Sequence, residues 1–173
     1  MIALFPGRFQ PLHKGHEKAI KDLLKKYQKI VIAIGSINKP RSYKNPFTYY
    51  ERKKMFEIVF FTEIKKGRIK VIGIKDYHND EKWAYALIRK AKFDIVATGN
   101  SWTARCFKGK RKVERIKLYK RKIYCAKIIR NLMLNGDMSW TKRVNKKLVK
   151  YIISIITKNY FKVLKNGLVN KGG

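Results

Sequence analysis

Two histidines three residues apart, His13 and His16, are the side chains in this sequence best suited to chemistry. They end the stretch 7–16, which reads Gly-Arg-Phe-Gln-Pro-Leu-His-Lys-Gly-His. An apolar run at residues 2–5, the pattern of a first strand, leads into that loop. A helix is predicted over residues 14–27, with Ala19, Ile20, Leu23 and Leu24 on one face. Residues three apart share a helix face, and free amides at a helix N-terminus favour anions. Gly15 leaves room for a phosphate to approach the backbone. Two imidazoles there can donate hydrogen bonds to charge developing at a phosphorus, each worth roughly a hundredfold or more in rate. Ordinary surface histidines or a metal pair are the competing readings. The strand before the motif and the helix after it favour the phosphate reading.

The elements that must position these residues follow in a regular rhythm. A buried-type strand at residues 30–34 ends at Gly35-Ser36. Residues 37–46 are polar, with Pro40 and Pro46, and form a loop of functional size. Thr48 and Glu51 have capping-box spacing ahead of a helix that turns Met55, Phe56, Val59 and Phe60 inward. A third strand is predicted at 69–74, a loop at 76–80, a helix at 83–90 and a fourth strand at 93–98. This alternation predicts an α/β fold with a parallel sheet flanked by helices. The pattern weakens after Ser101. A last strand is placed within 111–119, helices at 126–134 and 144–156, a further short helix from 160 to 164, and a frayed tail from Gly167 onward.

Composition narrows the class. A chain of 173 residues with 45% hydrophobic and 13% aromatic residues suits one domain with a sizeable core. The run at 151–156 is far too short to span a bilayer. Met1 leads straight toward Pro6-Gly7 with no signal-peptide pattern, and two cysteines cannot build a disulfide framework, so a cytoplasmic setting is expected. Lys and Arg total 43 against 11 acids, a net charge of +32. Lysine-rich codon bias and a polyanionic partner both produce such a surplus, and a positive field also attracts small phosphate-bearing substrates.

On these residues the chain resembles the HxGH nucleotidyltransferase superfamily and is similar, within it, to the archaeal-type nicotinamide-nucleotide adenylyltransferases. The lead-in Gly7-Arg8-Phe9-Gln10-Pro11 carries the resemblance, with Ile34-Gly35-Ser36, Asn45-Pro46-Phe47-Thr48 and Glu51-Arg52. Asp76, Trp83, Phe93-Asp94-Ile95-Val96 and Gly99-Asn100 extend it, so that it covers residues 2–135. It implies a Rossmann-like core over residues 1–137, with basic C-terminal helices over 138–173 packing on the same domain. Gly7, Arg8, Phe9, His13, His16, Gly99, Asn100, Lys127 and Arg130 would bind ATP. Asp76, Trp83 and Arg52 would hold nicotinamide mononucleotide, and His13, His16, Arg8 and Arg52 would be the catalytic set. Mg²⁺ would arrive on the ATP phosphates without a dedicated protein site. The phosphate of nicotinamide mononucleotide would attack the α-phosphorus in line, giving NAD and pyrophosphate. A homo-oligomer is implied, with no membrane partner.

One stretch departs from the family. Its second signature is Ser-Gly-Thr-x-x-Arg at the start of a late helix, where residues 125–130 read Cys-Ala-Lys-Ile-Ile-Arg. The hydroxyls and the glycine are gone, Lys127 adds a charge and Arg130 remains. Two alternatives stay open: transfer to another phosphate acceptor, and nucleic-acid binding on a retired scaffold through the basic segments 105–122 and 142–150. His78 reads as a polar loop residue, and Cys125 has no neighbouring histidine to make it a nucleophile.

Overall fold

Strands buried on both faces need nearly continuous apolar runs, and three such runs form the centre of the sheet. The computed structural model describes residues 1–117 and 119–168. Five parallel strands, β1 (Ile2–Gly7), β2 (Lys29–Ile34), β3 (Ile69–Gly73), β4 (Ile95–Thr98) and β5 (Lys112–Arg115), lie in the order β3-β2-β1-β4-β5. Neighbouring residues of β1 point to opposite layers. Phe5 joins Ile20 of α1 (Lys14–Lys26), Met55 of α2 (Tyr49–Val59), Ile129 of α6 (Ala126–Leu134) and Ile152 of α7 (Val149–Leu168). Leu4 joins Leu87 of α4 (Asp80–Lys90) and Phe107 of α5 (Ser101–Phe107) on the other face. Trp140, Val144 and Leu148, from two 3-10 turns and the link between them, belong to the first layer.

Local chemistry fixes the helix starts. The Thr48 hydroxyl accepts from the Glu51 amide at 3.3 Å, and Glu51 accepts from the Thr48 amide at 2.8 Å, closing the expected capping box. Glu51 also pairs with Arg41 at 2.6 Å, tying the 37–46 loop to α2. Gln10 clamps the end of that loop: its amide donates to the Phe47 carbonyl at 2.8 Å and its oxygen accepts from the Phe47 amide at 3.0 Å.

Several boundaries differ from the sequence expectation. Helix α5 falls where no element was predicted, and a short helix α3 (Phe61–Lys65) follows α2. Asn79 caps α4 and starts it three residues before Trp83. The segments expected as two helices, at 144–156 and from 160, form one helix, α7, which begins at Val149 after 3-10 turns at Met138–Arg143 and Lys146–Leu148. Gly167 lies within α7 rather than in a tail; Leu118 and residues 169–173, the rest of the expected tail, lie outside the described residues. No helix among the described residues is long and apolar enough to cross a membrane.

Candidate active site

Strand order reverses between β1 and β4, and open α/β sheets bind ligands at such a switch point, beyond the strands' carboxyl ends. The register leaves room there. Six residue pairs join β1 to β2, but only Ala3↔Ile95 and Leu4↔Val96 join β1 to β4. A cavity of about 490 Å³ opens at this end, lined among others by Gly7, Arg8, Ser36, Asp76, Trp83 and Asn100. Arg8 is exposed and presents its charge to the cavity.

Past the loop, the two histidines cap α1 reciprocally. His13 Nδ1 accepts from the His16 amide at 3.3 Å, and His16 Nδ1 accepts from the His13 amide at 3.4 Å. The rings stack with centroids 3.6 Å apart and planes 17° from parallel. An Nδ1 that accepts a hydrogen bond belongs to a neutral imidazole protonated at Nε2. Each ring therefore keeps an Nε2–H donor beside the helix N-terminus. Burial supports the neutral form: His13 is 7% exposed and its pKa is lowered from 6.5 to about 4. Burial, then the neighbouring His13, hold His16 well below 6.5 as well. As pH falls from about 6.5 toward about 4, the unfolded chain takes up a proton at position 13 that the native chain refuses. Stability drops across that window by up to about 3 kcal/mol for this residue. Urea unfolding at a series of pH values measures it, and His13→Asn, which caps without titrating, flattens the slope. A slope unchanged by the substitution refutes the assignment.

Two left-handed residues shape the floor. Phe9 has φ 51° and Ser36 φ 55°, conformations unusual for side chains larger than glycine. Arg52 of α2 lies beneath both turns, 1% exposed. Its Nη1 donates to the carbonyls of Arg8 and Gly35, each at 2.7 Å, its Nη2 to Ser36 O at 3.4 Å and its Nε to Thr48 O at 3.2 Å. Desolvation lowers its pKa from 12.5 to about 10. These partners hold the Arg52 guanidinium against the backbone of both turns, where the sequence led us to expect it at substrate. Four of its five N–H groups hold backbone carbonyls, so its guanidinium serves the chain. The Phe9 side chain, expected at ATP, is 2% exposed and packs on Phe56 and His16 with ring centroids 4.9 Å away in each case. It supports His16 from below instead of facing the cavity. Gly7 makes this possible, since a Cβ there would come 2.8 Å from the Phe9 ring.

The far wall is built from β2, β3, α4 and α5. Asp76 accepts from the Ser36 hydroxyl at 2.9 Å, and its amide donates to Asn38 Oδ1 at 2.8 Å. Trp83 is 5% exposed; it packs on Phe107 and also lines the cavity, so one ring serves both core and site. Asn100 caps α5 and lines the cavity, while Gly99 and Asn100 are held through their carbonyls by Arg115.

On the other side, α6 meets α1. A Cβ on Gly15 would lie 3.0 Å from Tyr124 Cβ, just ahead of α6. Cys125, the N-cap of α6, makes no side-chain capping bond. Lys127 is exposed in the first turn. Arg130 is 8% exposed, donates to Gln10 O at 2.9 Å, lies 5.6 Å from the Tyr43 ring centroid, and leaves its buried Nε without a hydrogen-bond partner.

A family described as Cytidylyltransferase-like matches residues 4–160. A nicotinamide-nucleotide adenylyltransferase of Thermococcus sibiricus is 36% identical over 158 residues, covering 90% of this chain and 84% of that protein. One from Pyrococcus furiosus is 37% identical over 157 residues, covering 88% and 82%. The chain belongs to the cytidylyltransferase-like family, on its nicotinamide-nucleotide adenylyltransferase branch. A bifunctional NMN adenylyltransferase/ADP ribose pyrophosphatase from Francisella tularensis superposes with a TM-score of 0.71 at 28% identity. The superposition covers 83% of this chain and 44% of that longer one.

Membership of that branch makes the spread of the expected residues informative. Gly7, Arg8, Asp76, Trp83 and Asn100 gather at the cavity, whereas His13, His16, Gly99, Lys127 and Arg130 do not line it. Sequence reasoning missed Lys39, His78 as a lining residue, and Trp102. Lys39 lies in the loop already read as functional; Trp102 follows Gly99-Asn100-Ser101 closely enough that its position at a strand end could have drawn attention. Among the described residues no group of three His, Cys, Asp or Glu is placed to hold a metal ion.

Proposed function

We propose that the protein is a nicotinamide-nucleotide adenylyltransferase, joining ATP and nicotinamide mononucleotide into NAD and pyrophosphate. The observation that carries this reading is the reciprocal capping of His13 and His16, which leaves two neutral Nε2–H donors at a helix N-terminus. ATP would lie with its phosphates over the start of α1, toward the α6 N-terminus, where Lys127 supplies charge and Arg130 has a spare donor. Arg8 would bind phosphate from the cavity side. Nicotinamide mononucleotide would occupy the cavity, its ring against Trp83 and near Asp76. Its phosphate would attack the α-phosphorus directly. Catalysis then consists of holding two anions in line and stabilising the charge that develops, with no protein nucleophile. A neutral donor suits this task, because it needs no proton exchange as charge moves.

A divalent cation commonly rests on substrate phosphates with few protein ligands. Asp76, the cavity carboxylate, already accepts from Ser36, so ATP itself would carry the ion, Mg²⁺ in this reading. A homo-oligomer and a cytoplasmic setting belong to the same reading. The +32 charge would draw both anionic substrates inward. The test is direct. Purified protein with ATP, Mg²⁺ and nicotinamide mononucleotide should release pyrophosphate and NAD, EDTA should stop the reaction, and added Mg²⁺ should restore it. No NAD under any metal or temperature would refute the reading.

A further inference from the structure

We propose that the face built by α1, the turn at 119–124 and the two 3-10 turns docks single-stranded RNA, a function apart from the chemistry at the cavity. The fold divides the basic segment 105–122 between the two helix layers. Arg105 and Lys110 pair with Asp80 and Glu81 of α4, and Arg115 holds the carbonyls of Gly99 and Asn100. The 119–124 turn lies instead against α1, where Gly15 faces Tyr124. Segment 142–150 closes on the same helix: Asn145 Nδ2 donates to Glu17 Oε2 at 3.0 Å, and Arg143 Nη1 donates to Ile123 O at 2.9 Å. Three stretches distant in sequence thus share one surface.

That surface is cationic with little to offset it. An open groove of about 450 Å³ is lined by Lys14, Lys18 and Lys21 of α1 and by Lys146 and Lys147. The acids of this stretch of α1 are already engaged: Glu17 pairs with Lys21 and accepts from Asn145, and Asp22 pairs with Lys18. From Arg115 to the C-terminus the sequence has one acid, Asp137, which caps the first 3-10 turn. Lys120, Arg121 and Lys122 are exposed, and among the described residues neither they nor Lys146 and Lys147 are in an ion pair. Cations spread over three segments reach past a single nucleotide, and a polymer of phosphates matches them. An aromatic ring sits among them. Tyr119 is 40% exposed and stacks on Tyr124, with centroids 5.7 Å apart and planes 15° from parallel, and Lys120 Nζ lies 5.5 Å from its centroid. Rings among cations suit unpaired bases, which stack while their phosphates meet lysine. A duplex hides its base faces, so the strand is single, and the long unpaired strands of a cell are RNA.

Fluorescence anisotropy of a labelled oligouridylate, free or paired with oligoadenylate, reads the surface across a salt series. Wild type should bind the single strand at physiological salt and prefer it to the duplex. Lys146→Glu with Lys147→Glu should weaken binding about tenfold or more and lower the slope of log K against log salt by about 1.4, two contacts at about 0.7 each. Tyr119→Leu should weaken it about fivefold or more at an unchanged slope. A second basic groove, lined by Lys70, Lys90, Lys92 and Arg111, supplies the control, because its one ring, Phe93, is buried. Lys90→Glu with Lys92→Glu makes the same change of charge and should leave RNA binding close to wild type. Urea midpoints show that each variant is folded, and the KM for ATP should not move. Absence of binding at physiological salt overturns the proposal. So does equal weakening by the two charge-reversed pairs, which means diffuse charge without a site. Duplex bound as tightly as single strand, or displacement of the RNA by polyglutamate of equal charge, removes the assigned partner. A raised ATP KM in the Lys146 and Lys147 variant with RNA binding intact makes these lysines a funnel for ATP instead.

Discussion

Replacing His16 with alanine should lower kcat by about a hundredfold or more, with a much smaller change in the KM for ATP. The ring does two separable things. Its Nδ1 caps the His13 amide, and its Nε2–H remains to meet a phosphate oxygen. Losing the cap costs about 1 kcal/mol of stability, which urea unfolding reads independently of turnover. His16→Gln separates the two: glutamine is a natural capping-box partner at this helix position and still has amide donors. It should restore stability and recover part of the rate. Near-normal turnover in the alanine variant would remove His16 from the mechanism. Equal loss in both variants would mean that only an imidazole can serve.

Arg52→Met is expected to cost about 3–5 kcal/mol of folding stability. The substitution keeps similar apolar bulk and removes every bond to the carbonyls of Arg8, Gly35, Ser36 and Thr48. Each carbonyl left unpaired costs about 1–3 kcal/mol, less where cavity water can reach it. Domains of this size hold only about 5–15 kcal/mol in total, so the loss is large. Arg52→Lys keeps the charge but not the planar fork, which here spans the turns after β1 and β2; it should fall between. Turnover should fall in both, because those bonds hold the Arg8, Gly35 and Ser36 carbonyls at the left-handed turns of Phe9 and Ser36. Denaturant midpoints within about 1 kcal/mol of wild type would overturn the argument.

What the sequence revealed and what it hid divide along physical lines. The β1–α1–β2 unit and α2 were legible because apolar periodicity, a capping box and Gly-Pro punctuation coincide there. Helix α5 was hidden: seven residues, Ser-Trp-Thr-Ala-Arg-Cys-Phe, are too few for a periodic signal. The role of Arg52 was hidden for another reason. Its partners are backbone carbonyls, which carry no residue signature, so an arginine beside a phosphate motif was read as a phosphate ligand. The packing of the Phe9 ring beneath His16 was hidden in the same way, because a motif position does not say which way its side chain turns. The reciprocal histidine cap was half visible, since the spacing was plain while the tautomer required coordinates.

The short seam between β1 and β4 carries a consequence for how such an enzyme changes over time. Only two residue pairs join the strands, so the cleft opens along this line while the core stays continuous beneath it. On the proposed reading the phosphate machinery lies on the β1 side, with α1 and the Arg52 turns. The β4 side, with α5, carries Trp102, whose indole donates to Asp80 of α4 and lies against Trp83. On that reading, substitutions on the β4 side would retune the preferred acceptor and leave the adenylyl-transfer apparatus intact. One ancestral reaction can thus be inherited by descendants that differ in what they adenylylate.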